Sequence, residues 1–272
     1  KAGVSFHQSG HNAYFSVAYA GREPERNNFT DNGSYPAPKA EHMTDYELGY
    51  NYDGGNWHAG VNFYYMDYKD QFVQTGQQSD IGENLTTNID KSYRQGVEIS
   101  ADWSPLSWLT VAGNAALSQN KIKDFTEYVD NWDGNAETKH YGKSTLSFSP
   151  SVILNGFLNF HCAGFDATWH TNFVGRQYLD NTENKDRSLP CYSQTNVNMN
   201  YTLDTKKLSL GVKQVVFGLS LNNIFNRRYA SSGWVYSAVS KSSGYDLDNR
   251  YYQLGFIPMA GFTAMGNITL RF

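Results

Sequence analysis

The sequence predicts an all-β chain, an antiparallel up-and-down meander of the kind that closes into a transmembrane β-barrel. Three observations predict it. Period-two alternation of apolar and polar residues recurs along the whole chain of 272 residues. Tight turns alternate with long polar connections. The face that each strand would turn away from lipid is rich in Asn, Ser, Thr and Gly. Alternation at a period of two means a strand with one apolar and one polar face. Amides and hydroxyls cannot line a dry core without partners, so a wet or plugged lumen fits them better than the alternative, a soluble β-sandwich.

About eleven strands follow in order. The first two, near 3–8 and 13–20, flank the turn Ser9-Gly10-His11-Asn12. The next pair, 44–53 and 56–69, flanks Asp53-Gly54-Gly55, with Val61, Phe63 and Tyr65 outward and Tyr64, Met66 and Tyr68 inward. The stretch 93–103 sets Val97, Ile99, Ala101 and Trp103 against Glu98, Ser100 and Asp102. After Ser104-Pro105-Leu106, 107–121 turns Leu109, Val111, Ala115 and Leu117 outward and Thr110, Asn114 and Ser118 inward. Strands at 144–161 and 165–176 meet at Cys162-Ala163-Gly164, and the second opposes Ala167, Trp169 and Phe173 to Thr168, His170 and Asn172. In 191–203, Val197, Met199 and Tyr201 face lipid against Asn196, Asn198 and Asn200. Beyond Asp204-Thr205-Lys206-Lys207, 214–226 turns Val215, Phe217, Leu219 and Leu221 outward and Gly218, Ser220 and Asn222 inward. The last strand, 260–272, alternates without a slip from Phe262 to the terminal Phe272. Gly, Asn, Asp and Pro give the short turns their backbone angles.

The other connections, about 21–43, 71–92, 122–143, 177–190 and 227–258, are long and polar. In a meander, strict long–short alternation places all of them at one end, as in outer-membrane barrels with short periplasmic turns. An odd number of antiparallel strands does not close on itself, so the chain reads as part of a barrel with two unpaired edges.

Composition narrows the function. Mean hydropathy is −0.58, and no segment reaches the roughly 18–20 apolar residues of a membrane-crossing helix. Aromatics make up 15%, with 20 Tyr and 16 Phe, enough for girdles at two membrane interfaces. A net charge of −4 offers nucleic acid no basic footprint. The opening Lys1-Ala2-Gly3-Val4-Ser5-Phe6 is not a signal peptide, so one was removed or the chain is an internal piece. Cys162 and Cys191 lack metal-ligand spacing. A whole strand separates them, nearly 40 Å along the chain at roughly 3.3 Å per residue, so both thiols are expected free.

Leu219 to Trp234, LSLNNIFNRRYASSGW, resembles the penultimate strand and following loop of TonB-dependent outer-membrane receptors. The terminal GNITLRF resembles that family's last strand. Upstream, AYAGREPERNNFTD, PKAEHMTDYELGYNY, FYYMDYKDQFVQTG, KSYRQGVEISADW and VGRQYLDNTEN are similar, in order, to the hairpins of its C-terminal half in Bacteroidetes. The resemblance implies residues 1–272 as the C-terminal part of a barrel of about twenty-two strands, with the plug domain outside them. It further implies an outer-membrane receptor that imports a scarce nutrient with energy from TonB. Implied partners are the TonB complex, reached through the missing N-terminal region, the protein's own plug, membrane lipid and an extracellular small molecule. Ferric siderophores come first as ligands, then cobalamin, haem or oligosaccharide, and no cofactor or metal is implied. The sequence departs from the family at Ile257-Pro258-Met259-Ala260-Gly261, where Phe262 follows in place of a basic residue. An outer-membrane barrel enzyme is the rival of another class; it requires a Ser/His or Asp/His constellation that the sequence does not display. A passive porin would lack the plug.

Candidate ligand-binding residues are few. Arg22 and Arg26 open the first long connection, either as a solvated charged face or as a mouth cluster for an anion. Tyr64 and Tyr68 can stack on a flat ligand or pack against the plug. His170 and Asn172 point into the lumen, where a lone His is more often a hydrogen-bonded wall residue than a ligand to metal or haem. Asp180, Asn181, Glu183 and Asp186 crowd one connection without calcium-loop spacing and read as a turn.

Overall fold

The computed structural model describes residues 1–30, 35–79, 82–205 and 211–272. Its strands begin with β1 (Ala2–Gln8), β2 (His11–Arg22), β3 (Glu41–Asp53), β4 (Trp57–Gln78), β5 (Asn84–Leu106) and β6 (Leu109–Ile122). Next come β7 (Thr126–Asn131), β8 (Glu137–His140), β9 (Ser144–Thr145), β10 (Val152–Cys162), β11 (Phe165–Val174), β12 (Gln177–Tyr178) and β13 (Ser188–Leu189). The chain closes with β14 (Tyr192–Asp204), β15 (Gln214–Asn222), β16 (Ala230–Val239), β17 (Tyr251–Pro258) and β18 (Thr263–Arg271). One helical turn, α1 (Arg26–Thr30), lies between β2 and β3. Lys206 and Lys207 of the turn expected at 204–207 lie outside the described residues, as do 31–34 and 80–81.

The wall is one 12-stranded sheet whose path runs β1-β2-β3-β4-β5-β6-β10-β11-β14-β15-β18, with the two-residue β9 attached to β6. Its pairings are antiparallel, and β1 and β18 each have one unpaired edge. The facing read from the alternation holds across the sheet. Phe15 is opposite Leu48, Leu48 opposite Phe63, Phe63 opposite Val97, and Val97 opposite Leu117. At the far side Trp169 meets Val197, which meets Leu221, which meets Ala264. Large apolar side chains of this face lie open, Phe63 at 53% and Ile268 at 66%. A face so broad and so apolar requires lipid as its solvent.

Aromatic rings edge that face at both ends. At the short-turn end Tyr52 packs on Trp57 at 4.8 Å between centroids, Trp57 is opposite Trp103, and Trp108 stacks on Phe160. At the other end Tyr65 stands between Tyr46 and Tyr93, and Tyr19 stacks on His42.

The long connections depart from expectation because they carry structure of their own. Most of 71–92 is not a loop: β4 and β5 continue as a paired hairpin far past the wall. The connections 122–143 and 227–258 supply β7, β8, β16 and β17, which form a 4-stranded sheet in the order β17-β16-β7-β8. The expected strand 144–161 is broken: the chain leaves β9, turns through Phe148 at φ 49°, and re-enters the wall at β10. Pro150 cannot donate a ladder hydrogen bond, which favours a break there. The expected strand 214–226 ends at Asn222, where Asn223 takes φ 49°. These connections also hold a compact apolar cluster, Val73, Ile89, Ile122, Phe125 and Leu146, with Tyr141 against it. Cys162 ends β10 and Cys191 precedes β14, and both thiols are free and exposed.

Candidate functional site

The inner face carries a cleft of about 370 Å³ lined by β3 to β6 and by the segment that links β9 to β10. Alternation alone puts Tyr64 and Met66 of β4, Arg94 and Glu98 of β5, and Ser118 and Asn120 of β6 on this face. Gly96 is directly opposite Tyr64. A Cβ there would meet the Tyr64 hydroxyl at 2.6 Å, so glycine is what lets the phenol lie down against the wall.

Arg94 holds the lip of the cleft. Its Nη1 donates to Asn120 Oδ1 at 3.3 Å and to Ser149 Oγ at 3.0 Å. Ser118 donates to the Pro150 carbonyl at 3.1 Å, which pins the same segment to β6. Phe148 stands at this lip in the left-handed region, its amide bonded to the Tyr178 carbonyl at 2.9 Å. A bulky residue with positive φ costs on the order of 1–3 kcal/mol and is kept only where its surroundings impose it. Glu47 and Glu98 complete the lining. The cleft is therefore amphoteric: one guanidinium, two carboxylates, a phenol and a phenyl ring.

The sequence-predicted residues fall into separate places. Tyr64 lines the cleft, and Tyr68 lies above it on the same face of β4, its hydroxyl 3.8 Å from Met66 Sδ. Arg22 is tied to the neighbouring strands, 3.1 Å from Glu41 of β3 and over the Phe72 ring of β4 at 5.5 Å. Arg26 starts α1, exposed. His170 and Asn172 sit four strands along the path from β4 and converge on Asn155 Oδ1, each at 3.0 Å, with the imidazole stacked on Phe157 at 4.4 Å. Asn155 in turn donates to Asn114 at 2.9 Å. The two are thus members of an amide ladder in the wall. Arg94, Glu47 and Phe148 were not singled out by sequence. The alternation fixes which way Arg94 points; that the 147–151 segment folds over it is set by contacts remote in sequence.

Above the cleft the long connections are locked by a buried charge cluster. Glu127 on β7, only 1% exposed, accepts from Arg250 Nη2 at 2.8 Å, Arg187 Nη1 at 3.2 Å and the Tyr141 hydroxyl at 2.9 Å. Arg187 also reaches Asp180 at 2.7 Å, and both guanidiniums lie over the Tyr252 ring. Burial, and then the Glu127 charge, push the Tyr141 hydroxyl up to about 12, so it remains a donor. Burial pushes the Asp180 carboxyl up as well, against the pull of Arg187. Asn181 bridges the Gln74 carbonyl and the Ser147 amide at 2.9 and 2.8 Å. The stretch expected as an ordinary acidic turn is therefore in part an internal anchor, because Asp180 and Asn181 find partners on connections distant in sequence.

Comparison with known proteins places this architecture. The family model described as TonB dependent receptor-like, β-barrel, matches residues 1–224. A search of curated proteins finds no match. Among solved structures, the ferric-catecholate import receptor Fiu from E. coli K12 superposes with a TM-score of 0.62 at 16% identity, over 98% of this chain and 34% of that one. The ferric yersiniabactin uptake receptor FyuA from Yersinia pestis gives 0.60 at 15%, over 97% and 36%. The siderophore receptor PiuA from Acinetobacter baumannii gives 0.66 at 12%, over 98% and 35%. At such identities the likeness is one of fold, and the chain spans about a third of the length of these receptors. The lipid-facing outer surface, the polar inner wall and the match over residues 1–224 lead to one conclusion: the chain belongs to the TonB-dependent receptor β-barrel family of the outer membrane.

Proposed function

We propose that residues 1–272 form the C-terminal part of the barrel of a receptor that imports a scarce nutrient, a ferric siderophore first, with energy delivered by TonB. The plug and the TonB-contacting region belong to the rest of the protein in this reading. The observation that carries it is the amphoteric cleft on the inner wall beneath the locked connections. Arg94 suits a carboxylate or phenolate through its planar fork, and Tyr64 and Phe148 suit a flat ring. Glu47 and Glu98 suit ligand hydroxyl or amide donors. The likeness to Fiu, FyuA and PiuA, receptors for ferric-catecholate, ferric yersiniabactin and a siderophore, supports ferric chelates over cobalamin, haem and oligosaccharide.

The test is calorimetric titration of the full-length receptor with ferric tris-catecholate, ferric hydroxamate, cobalamin, haem and a neutral oligosaccharide. Uptake by cells with and without TonB is measured alongside. A ferric chelate is expected to bind, and Arg94→Gln or Tyr64→Ala to weaken it by about tenfold, equivalent to about 1.4 kcal/mol. TonB-independent uptake, or binding of the oligosaccharide alone, refutes the reading.

A further inference from the structure

We propose that the outward face of the wall carries a binding site for the phosphates of an outer-leaflet glycolipid, built from Lys69, Lys91, Lys123 and Lys143 around Tyr93. The four come from four chain segments and fall in one row across the strands. Lys69 is directly opposite Lys91 in the β4–β5 register. The Lys123 amide donates to the Lys91 carbonyl at 3.0 Å. The Lys123 and Lys143 ammoniums both lie over the Tyr93 ring, at 5.8 and 5.3 Å from its centroid. All four side chains are exposed, while Tyr93 beneath them is 7% exposed.

Like charges directly opposite on a sheet destabilise it. Elsewhere, among the described residues, five of the seven other lysines are paired, Lys185 and Lys213 being the exceptions. Lys1, Lys39, Lys121, Lys139 and Lys241 each hold a carboxylate within 4.0 Å. Among the described residues none of the four in the row does. Of the carboxylates near by, Asp67, opposite Tyr93, takes the Tyr65 hydroxyl at 3.5 Å and Asp124 takes His140 at 3.3 Å, and neither they nor Asp90 come within 4.0 Å of the four ammoniums. The row is thus a concentration of unneutralised charge, and an external anion would neutralise it.

Its depth says which anion. Tyr65 and Tyr93 stack at 6.0 Å in the aromatic edge at the long-connection end of the lipid-facing surface. Tyr and Trp belts sit at the headgroup level. Lys69 continues the outward parity of Phe63 and Tyr65 one pleat beyond that belt, so the row meets the fixed headgroups of the outer leaflet. A phosphorylated glycolipid presents anions in that plane with its chains along Phe63, Val97 and Leu117. The bland alternative is four lysines that reach past the belt into water with no partner.

The experiment purifies the full-length receptor from outer membranes in mild detergent and counts co-purified glycolipid by native mass spectrometry. Delipidated receptor is then titrated with bis-phosphorylated lipid A, with dephosphorylated lipid A and with inorganic phosphate. The variant is K69Q/K91Q/K123Q/K143Q, and the control is K185Q/K213Q. Heat-modifiable mobility on gels reports barrel folding. Should the quadruple variant not fold, K69Q/K91Q and K123Q/K143Q are compared separately. Expected is binding of the bis-phosphorylated lipid by the parent and the control, with at least a tenfold loss in the quadruple variant and at least threefold in each pair. Retention within twofold in the folded variants overturns the site. Equal binding of the dephosphorylated lipid, or displacement by inorganic phosphate at matched concentration, overturns the glycolipid assignment.

Discussion

Removing Glu127 should unlock the extracellular connections without unfolding the wall. Its carboxylate is 1% exposed and accepts from two guanidiniums and a phenol at 2.8 to 3.2 Å. Glu127→Ala leaves Arg250 buried without a counter-ion, while Asp180 still holds Arg187 at 2.7 Å. Breaking a buried pair from one side costs about 3–5 kcal/mol. The lost contacts join β7 to the connections bearing Arg187 and Arg250, so the cost falls on local opening of those segments. At about 1.4 kcal/mol per decade, 3 kcal/mol accelerates amide exchange roughly a hundredfold. Hydrogen exchange followed by mass spectrometry should show this for 126–140, 177–189 and 230–250, with the wall strands β10, β11 and β14 unchanged. Exchange in those segments within threefold of the parent refutes the idea that the cluster locks them. Glu127→Gln keeps the shape and should lose less.

Facing is testable by asymmetry: Leu219→Arg should cost about 2–4 kcal/mol in a membrane-folding assay if it lies near the midplane, and Asn222→Arg much less. Equal costs contradict the outward assignment of Leu219, which sits opposite Met199 and Gly266. On intact cells Cys191 should react with a membrane-impermeant maleimide and Cys162 only after the membrane is opened, because a full strand separates them. The reverse pattern inverts the topology. Burial pushes the Glu183 carboxyl up, but Lys121 at 2.7 Å and Thr145 outweigh it and hold it below its ordinary 4.5. Such a depressed value gives a tether that is intact above about 4.5 and lost as pH falls through the lower folded value. A spin label at Lys185→Cys, in a chain with Cys162→Ser and Cys191→Ser, should gain mobility over that fall. Glu183→Gln should have the mobile spectrum at every pH, and a spectrum with no pH dependence in the parent counts against the tether.

The wall was legible in the sequence because each of its strands answers to two solvents. Lipid on one side and a polar lumen on the other impose a period of two, and a slip of one residue would reverse every side chain, so Leu219, Trp169 and the Asn196, Asn198 and Asn200 row declare their faces without reference to a neighbour. Gly and Asn in the short turns were equally legible, since they answer to local backbone angles. The cap of connections was not. β7 and β16 pair in parallel across more than a hundred residues, and no local pattern announces a strand whose partner is so remote. The cluster of Glu127, Arg187 and Arg250 is likewise written as three unremarkable charges, which become a lock only when folding removes water from all of them together. Arg94 and Phe148 tell the same story at the cleft: alternation aims the guanidinium inward, but the strained turn that folds over it is imposed by Tyr178, Ser118 and Asn120 from other strands. Periodicity is a one-dimensional signal and specifies faces; desolvation and long-range pairing are three-dimensional, and the tertiary structure alone decided them.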